Sequence, residues 1–250
     1  MLPVNGLSQF LSTPISYRIS TYNKWASQAI RASNRVYRLR DGLALKIYQG
    51  DANEANAYRY ISTMHGVNTP RLIDSIVSDD NKLYLLTTWV DGPTVEDIWE
   101  ELSERDRDWI VDDLRRQMKV VRHQSSRCII SNVAGGPIDD VRLPWVEEPR
   151  TYSTHREFAR EVWPFLDMPH LRNTLKPILT PLIERDDVPI VFTHGDLLPK
   201  NLIIPISKDH WLSTREPICI IDWESAGWKP LYWEALRATF FDFEKDTEWT

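Results

Sequence analysis

Short apolar runs separated by polar turns dominate the first third of the chain. Apolar and basic residues alternate over 35–40, the turn pair Asp41-Gly42 follows, and an apolar run returns over 43–48. An Asp-Gly pair between two such runs is a strong hairpin signal. Two more apolar runs, 69–77 and 83–90, flank a polar turn. The pattern predicts a small antiparallel sheet.

Helical periodicity follows the predicted sheet and also interrupts it. Residues 51–63 predict one helix, and residues 94–122 predict two more. Both of the latter begin with a Ser or Thr that has an acid three residues later, which is the signature of a capping box. The apolar face predicted for the second of them consists of Trp109, Leu114, Met118 and Val121. Residues 1–30 show only a weak helical pattern around 22–30, and we expect them to form an extension packed on the sheet.

The second half of the chain alternates strands, turns and helices. Thr154 predicts the start of a helix running to about Trp163, and a further helix is predicted over 169–186. Residues 207–211 predict the tip of a long surface hairpin, and 226–230 predict a turn. A last helix is predicted over 233–243. Trp145, Tyr152 and Trp163 could line a substrate site, although aromatic residues in helical segments more often belong to a core.

Composition narrows the class of protein. The chain has 250 residues, 42% of them hydrophobic and 26% charged, which is typical of a globular protein. Its net charge of −6 argues against a nucleic-acid partner, and no apolar run reaches the roughly 20 residues that a membrane span needs. The N-terminus lacks the features of a secretory signal. Cys128 and Cys219 favour reduced thiols in a cytoplasmic protein.

Polar side chains that packing does not explain follow two apolar runs. Asp196 and Asn201 come after the apolar run that begins at Val191, and Asp222 ends the run 218–221. A carboxylate at the end of a buried strand is costly unless it is hydrogen-bonded, paired or functional. Phosphoryl transfer uses such groups: one Asp orients the attacking hydroxyl, while an amide oxygen and a second carboxylate hold Mg²⁺. We therefore predict Asp196 as the catalytic carboxylate, and Asn201 and Asp222 as metal ligands. Asp222 could instead cap the turn that follows it.

These motifs carry a family resemblance. His194-Gly195-Asp196 with Asn201, and then Ile221-Asp222-Trp223-Glu224 with its aspartate 26 residues after Asp196, resemble the aminoglycoside phosphotransferase and choline kinase-like families, and their fungal branch most. The likeness covers roughly residues 35–240. It implies an α+β, bilobal protein kinase-like fold with a small antiparallel β-sheet N-lobe and a mostly helical C-lobe. It also implies ATP and Mg²⁺ as cofactors and a small-molecule hydroxyl as the acceptor.

The resemblance assigns further roles in the predicted N-lobe. Lys46 would contact the nucleotide phosphates and pair with Glu54, eight residues later. Taken alone, Lys46 could be a solvent-facing strand residue, and Glu54 could be an exposed first-turn residue favoured by the helix dipole. The main chain of Trp89 and Val90 would bind adenine, although an ordinary turn is the alternative. A glycine-rich loop does not precede Lys46, which leaves phosphate binding unassigned.

The resemblance also places lobe boundaries and raises rival functions. Residues 1–90 would form the nucleotide-binding lobe, and 91–250 the catalytic and acceptor-binding lobe, with a helical insert over about 125–187.

Gly195, Leu198 and Trp223-Glu224 depart from protein kinases and favour a small-molecule acceptor. Because the glycine-rich phosphate loop is poorly represented, an alternative is a kinase-fold pseudoenzyme that binds a nucleotide or a protein partner without catalysing a reaction. We expect His194 to orient the loop rather than act as the base. The acidic residues 96, 97, 100 and 101 could attract a cationic substrate or form a solvated face.

Overall fold

A computed structural model of the chain describes residues 4–123, 128–138, 148–166, 180, 181 and 183–240. Several predictions fall outside this part. They concern Trp145, the side chain of Trp163, most of the helix predicted over 169–186, and the end of the chain.

An antiparallel sheet occupies the first part of the fold. Its strands are β1 (Ile30–Arg31), β2 (Val36–Arg38), β3 (Leu43–Gln49), β4 (Leu72–Val77) and β5 (Lys82–Thr88), in the order β1-β2-β3-β5-β4. Asp41 and Gly42 at the predicted hairpin tip have φ angles of 62° and 68°. Positive φ at both positions is a backbone conformation that Asp and Gly adopt more readily than most residues. The pattern did not predict β1, because two residues are too few to show alternation.

The N-terminal extension forms two helices, α1 (Val4–Leu11) and α2 (Ile15–Gln28), where the sequence predicted only a weak helix over 22–30. Their apolar side chains pack with Leu45, Ile76, Tyr84 and Leu86 of the sheet. The Tyr22 hydroxyl donates a hydrogen bond to Asp74 at 2.5 Å, and Arg18 pairs with Asp74 at 2.6 Å. Polar residues between the apolar positions weakened the helical signal, and packing against the sheet stabilises the helices.

Helices and short strands form the rest of the described chain. The helices are α3 (Asn53–Ile61), α4 (Val95–Ile98), α5 (Glu104–His123), α6 (His155–Leu166), α7 (Lys208–Thr214) and α8 (Trp233–Phe240). The strands β6 (Ser131–Asn132), β10 (Gly227–Pro230) and β7 (Ile190–Thr193) form a three-stranded sheet in that order, and β8 (Leu202–Ile203) pairs with β9 (Cys219–Ile220). None of the helices in the described ranges is long and apolar enough to cross a membrane.

The predicted helix starts are confirmed by their hydrogen bonds. Thr94 and Asp97 form a capping box at α4, and the Ser103 and Asp106 side chains bond each other's backbone N–H at α5. On α5 the predicted apolar positions Leu114, Met118 and Val121 are buried in the main core, while Trp109 is half-buried at its edge. Tyr152 is also a core residue, with 1% of its surface exposed, and does not line the cleft described below.

Two predictions of local structure were wrong. Residues 207–211 begin helix α7 rather than a hairpin tip: Ser207 caps the helix by accepting from His210 N–H at 3.2 Å, and Trp211 is fully buried. Residues 226–230 include strand β10 rather than only a turn. Lys229 and Pro230 hid the strand, since neither residue is common inside a buried strand.

The two cysteines differ sharply in exposure, and this difference gives a direct test of the fold. Cys128 is exposed, whereas Cys219 lies in β9 and is buried. Burial raises the pKa of the Cys219 thiol to about 12, so the reactive thiolate is scarce at pH 8. We expect the native protein to react rapidly with one equivalent of a disulfide reagent, and with the second only after denaturation. Cys128→Ser should leave the native protein unreactive, and rapid modification of that variant would contradict the fold around β9.

Candidate active site

The Lys46 ammonium lies at the centre of the candidate site. Lys46 belongs to β3, and 12% of its side chain is exposed. Its Nζ donates to Glu54 Oε2 at 2.9 Å and to Glu224 Oε2 at 3.1 Å, and it also donates to Asp222 Oδ1. One cation therefore connects the sheet, helix α3 and the loop that follows β9.

Glu54 reaches Lys46 because α3 begins only four residues after β3 ends. Glu54 lies in the first turn of α3 and is 1% exposed, so the alternative of an exposed helix-dipole residue does not describe it. The Tyr48 hydroxyl donates to the same carboxylate oxygen at 2.9 Å. The short connection that the sequence required is therefore present, and it brings the two charges together.

Burial and charge oppose each other in this cluster. Burial raises the pKa of Glu54 to about 7, and the neighbouring Lys46 opposes that rise. Burial by itself would lower the pKa of Lys46, but the carboxylates of Glu54, Asp222 and Glu224 raise it above its ordinary value. Lys46 therefore keeps its positive charge at neutral pH, as contact with a phosphate group requires.

The loop after β7 is held by a buried carboxylate. Glu234 of α8 is 6% exposed and accepts from the backbone N–H of His194 and, at 3.1 Å, from that of Gly195. Gly195 has a φ of 82°, and a Cβ at this position would lie 2.3 Å from the carbonyl oxygen of Ser225. Any side chain at Gly195 would therefore displace one of the two loops.

His194 connects the same two loops. Its Nδ1 accepts from the Asp196 N–H at 3.1 Å, and its Nε2 lies 2.8 Å from the carbonyl oxygen of Ile221. Because a carbonyl oxygen can only accept, Nε2 carries the proton. The ring also packs edge-on against Trp223, with 4.5 Å between centroids. Both nitrogens are occupied, which agrees with an orienting role and not with that of a base.

Asp196 is held close to Asn201. Asp196 is 3% exposed, and Asn201 Nδ2 donates to its carbonyl oxygen at 2.8 Å and to its Oδ2 at 3.0 Å. Two cations also approach the carboxylate: Lys200 Nζ lies 3.7 Å from Oδ2, and Arg237 Nη2 lies 3.7 Å from Oδ1. The carboxylate is therefore fixed by an amide donor on one oxygen and flanked by positive charge.

Asp222 follows β9 in a left-handed conformation, with φ 65° and ψ 57°. Its side chain is 30% exposed and bonds Lys46 instead of capping the 3₁₀ turn Trp223–Ser225, which was the alternative role. The backbone joins this region to the Asp196 loop, because Ile221 N–H donates to the carbonyl oxygen of Asn201 at 3.0 Å.

The oxygen atoms of the site are suitable ligands for a hard divalent cation. The amide nitrogen of Asn201 faces Asp196, which turns its amide oxygen in another direction, and both Asn201 and Asp222 line one cleft. Oxygen atoms of Glu54, Asp222 and Glu224 lie within 4.8 Å of one another. Carboxylate and amide oxygens are the ligands that Mg²⁺ prefers.

A cleft of about 630 Å³ collects these groups. The sheet side contributes the turn 32–35, Lys46 and the chain at Trp89 and Val90, and the other side contributes Asn201 and Asp222. Trp89 is already engaged, since its backbone N–H donates to Gly42 O at 2.8 Å. Asp196 itself is not among the lining residues, but its carboxylate is hydrogen-bonded to Asn201, which is one of them.

Several residues of the site escaped the sequence analysis. Glu234 and Arg237 hold the Asp196 loop, and Asn53 ties α3 to the Asp222 region by donating to the carbonyl oxygens of Glu224 and Ala226 at 2.9 and 2.8 Å. Glu234 and Arg237 are three residues apart in a predicted helix, which places them on one face. That spacing was the one available signal, and it does not identify the partner.

Comparison with known proteins provides independent support for the fold. A profile of the phosphotransferase enzyme family matches residues 28–250. No curated protein matches the sequence.

Solved structures superimpose on the chain. Aminoglycoside phosphotransferase APH(4)-Ia does so with a TM-score of 0.53 at 16% identity, covering 86% of this chain and 73% of that chain. A thermostable mutant of APH(4)-Ia in ternary complex with ADP and hygromycin B superimposes with a TM-score of 0.56 at 17% identity. It covers 88% of this chain and 75% of that chain. The GDP and kanamycin complex of APH(2")-IIIa superimposes with a TM-score of 0.54 at 18% identity, and it covers 86% of this chain and 74% of that chain. The predicted α+β, bilobal protein kinase-like fold is confirmed.

The hydrogen bonds from the Asp196 loop to Glu234 can be tested by substitution. Glu234→Ala would leave the buried N–H groups of His194 and Gly195 without their acceptor, at about 1–3 kcal/mol for each such group. We expect the free energy of unfolding to fall by about 2–4 kcal/mol in denaturant titrations. Glu104→Ala, at an exposed position of α5, is the control and should cost less than about 1 kcal/mol. Equal effects of the two substitutions would contradict this role.

Proposed function

The chain belongs to the phosphotransferase enzyme family, and from that membership we propose that it transfers the γ-phosphoryl group of ATP to a hydroxyl of a small molecule. One observation supports this proposal above the others. A single cleft gathers the Lys46–Glu54 ion pair, with its 2.9 Å contact, and the oxygen-bearing side chains of Asn201 and Asp222. Phosphoryl transfer depends mainly on positioning and on neutralising charge, and these groups can do both.

Asp196 orients the attacking hydroxyl and accepts its proton in this proposal. Its carboxylate is buried and held by Asn201 at 3.0 Å, so the oxygen meets the hydroxyl in a fixed place. Lys46, held by Glu54, steadies the phosphates. Asn201 and Asp222 would hold Mg²⁺, which neutralises the charge on the transferred phosphoryl group when it is bound.

The nucleotide base would lie against the chain that follows β5. Since the Trp89 N–H is used by Gly42, the main chain of Val90 is the better candidate to recognise adenine, with the carbonyl group of Trp89 beside it. We place the nucleotide-binding lobe at residues 1–90 and the catalytic lobe at 91–250. ATP as the donor, and two free cysteines, favour a cytoplasmic location.

The acceptor is proposed only as a class. The solved structures with this fold hold hygromycin B in one case and kanamycin in another. For this chain we extend the proposal to a small molecule that bears a hydroxyl group.

A second candidate is a nucleotide-binding protein without turnover. Its support is the Lys46 ammonium, which three carboxylates already surround. A thermal-shift measurement with ATP and Mg²⁺, followed by an ATP-consumption screen against hydroxyl-bearing metabolites, separates the two. Binding without consumption on any acceptor would favour this candidate.

Substitution of Asp196 tests the proposed chemistry. Asp196→Asn keeps the size of the side chain but removes the proton acceptor, so turnover should fall by about 10²–10⁴-fold. Nucleotide affinity should change by less than about threefold, because Asp196 does not line the cleft. Asp108→Asn, at an exposed position of α5, is the control and should leave both unchanged. A parallel loss of turnover and nucleotide affinity in Asp196→Asn would count against the assigned role.

Dependence on metal tests Asn201. Chelation of Mg²⁺ should abolish ATP consumption, and Asn201→Ala should raise the Mg²⁺ concentration needed for half-maximal rate by about tenfold or more, because a ligand is lost. Rates measured over a Mg²⁺ series check this. Asn56→Ala, on α3 and outside the cleft, should keep the original Mg²⁺ requirement. An unchanged requirement in Asn201→Ala would remove Asn201 from the metal site.

A further inference from the structure

The cleft wall that should face the nucleotide phosphates is built without glycine. In its place stands the turn Ala32-Ser33-Asn34-Arg35 between β1 and β2, and all four residues line the cleft. The turn is closed by Ala32 and Ser33, whose N–H groups donate to Val36 O at 2.9 and 3.2 Å.

A second arginine stiffens the turn from outside. The Arg31 guanidinium donates to the carbonyl oxygens of Ser33 at 3.1 Å and Asn34 at 2.9 Å. The main chain of Arg35 is fixed as well, since its carbonyl oxygen accepts from Ile47 N–H at 2.8 Å. The Arg35 side chain therefore projects from a braced backbone.

The Arg35 side chain and Lys46 contact the same carboxylate and the same aromatic ring. Arg35 Nη1 lies 3.1 Å from Glu224 Oε2, the oxygen that Lys46 Nζ contacts at 3.1 Å. The Arg35 guanidinium lies 5.4 Å from the centre of the Tyr48 ring, and Lys46 Nζ lies 4.8 Å from the same ring. The two cations thus form one positive region at the sheet side of the cleft.

We propose that Arg35 is a phosphate-binding residue that takes the place of a glycine-rich loop, and that Glu224 is its counter-ion when no nucleotide is bound. This inference rests on the proposed function, since it requires a nucleotide in the cleft. Three carboxylates already surround Lys46, so a second cation beside it would add to the charge that Lys46 and Mg²⁺ set against a polyphosphate. The planar guanidinium of arginine binds phosphate with two parallel hydrogen bonds.

The Arg35–Glu224 ion pair is weak enough for a phosphate group to replace Glu224 as the partner of Arg35. The Arg35 side chain is 53% exposed and that of Glu224 is 22% exposed, and ion pairs with such exposure contribute little because water screens them. A phosphate group that carries more charge than a carboxylate can therefore displace Glu224 from Arg35.

The test compares ligands with and without phosphates on variants of the complete chain. Isothermal titration with AMP-PNP and Mg²⁺ should show about tenfold weaker binding for Arg35→Ala, the effect of one lost charged hydrogen bond. Arg35→Lys should recover part of the loss, because it keeps the charge but not the planar fork. Binding of adenosine, which has no phosphate, should be unchanged in both variants.

Arg40→Ala is the matched control, because Arg40 is exposed in the turn between β2 and β3 and does not line the cleft. This variant should bind AMP-PNP like the unchanged chain. Unaltered AMP-PNP binding in Arg35→Ala, or an equal loss for AMP-PNP and adenosine, would overturn the inference about Arg35 alone. If the unchanged chain does not bind AMP-PNP, the proposed function fails and the inference fails with it.

A double-mutant comparison tests the competition with Glu224. In a Glu224→Gln background Arg35 loses the carboxylate that it pairs with in the described part of the chain, so Arg35→Ala should weaken AMP-PNP binding more than it does in the unchanged background. The comparison removes any effect of Glu224 on Mg²⁺, because that effect is present in both members of the pair. Equal losses in the two backgrounds would show that Glu224 does not compete for Arg35.

Discussion

The Lys46 ammonium is the contact on which the arrangement of the site depends. It holds Glu54 of α3 on one side, and Asp222 and Glu224 of the segment after β9 on the other. Glu54 is almost completely buried, and an unpartnered buried charge costs about 3–5 kcal/mol when one member of a pair is removed. The cation that we propose to contact the phosphates therefore also joins β3 to α3 and to the segment after β9, so stability and the proposed function share one interaction.

The last described helix supplies a second constraint, on the Asp196 loop. Glu234 accepts from the N–H groups at the start of this loop, while Arg237 donates to the Gly195 carbonyl oxygen at 3.2 Å. Glu234 and Arg237, on one face of the helix, thus provide hydrogen-bond partners for the N–H and C=O groups of the same buried backbone. Arg237 also lies 3.7 Å from Asp196, so α8 controls both the position and the electrostatic environment of that carboxylate.

Sequence patterns predicted the local parts of the molecule and missed those that depend on tertiary contact. The Asp41-Gly42 hairpin and the capped helices α4 and α5 follow from rules that operate within a few residues. Strand β10 was missed because its partner is distant in the chain: Lys229, only 1% exposed, pairs with Val191 of β7. In the site, spacing placed Lys46 and Glu54 on adjacent elements, but no local pattern could show that Glu224 joins them.

The charges of the cleft explain why a side chain can replace a glycine-rich loop. Backbone N–H groups offer phosphate only partial charges, whereas Arg35 offers a full positive charge. A full charge beside Lys46 would be repelled in the free protein, and Glu224, within 3.1 Å of both cations, removes that repulsion. The same carboxylate must then give way to the phosphates. Arg35, Lys46 and Glu224 therefore form a unit, in which the acid that stabilises the free site also limits how tightly a nucleotide can bind.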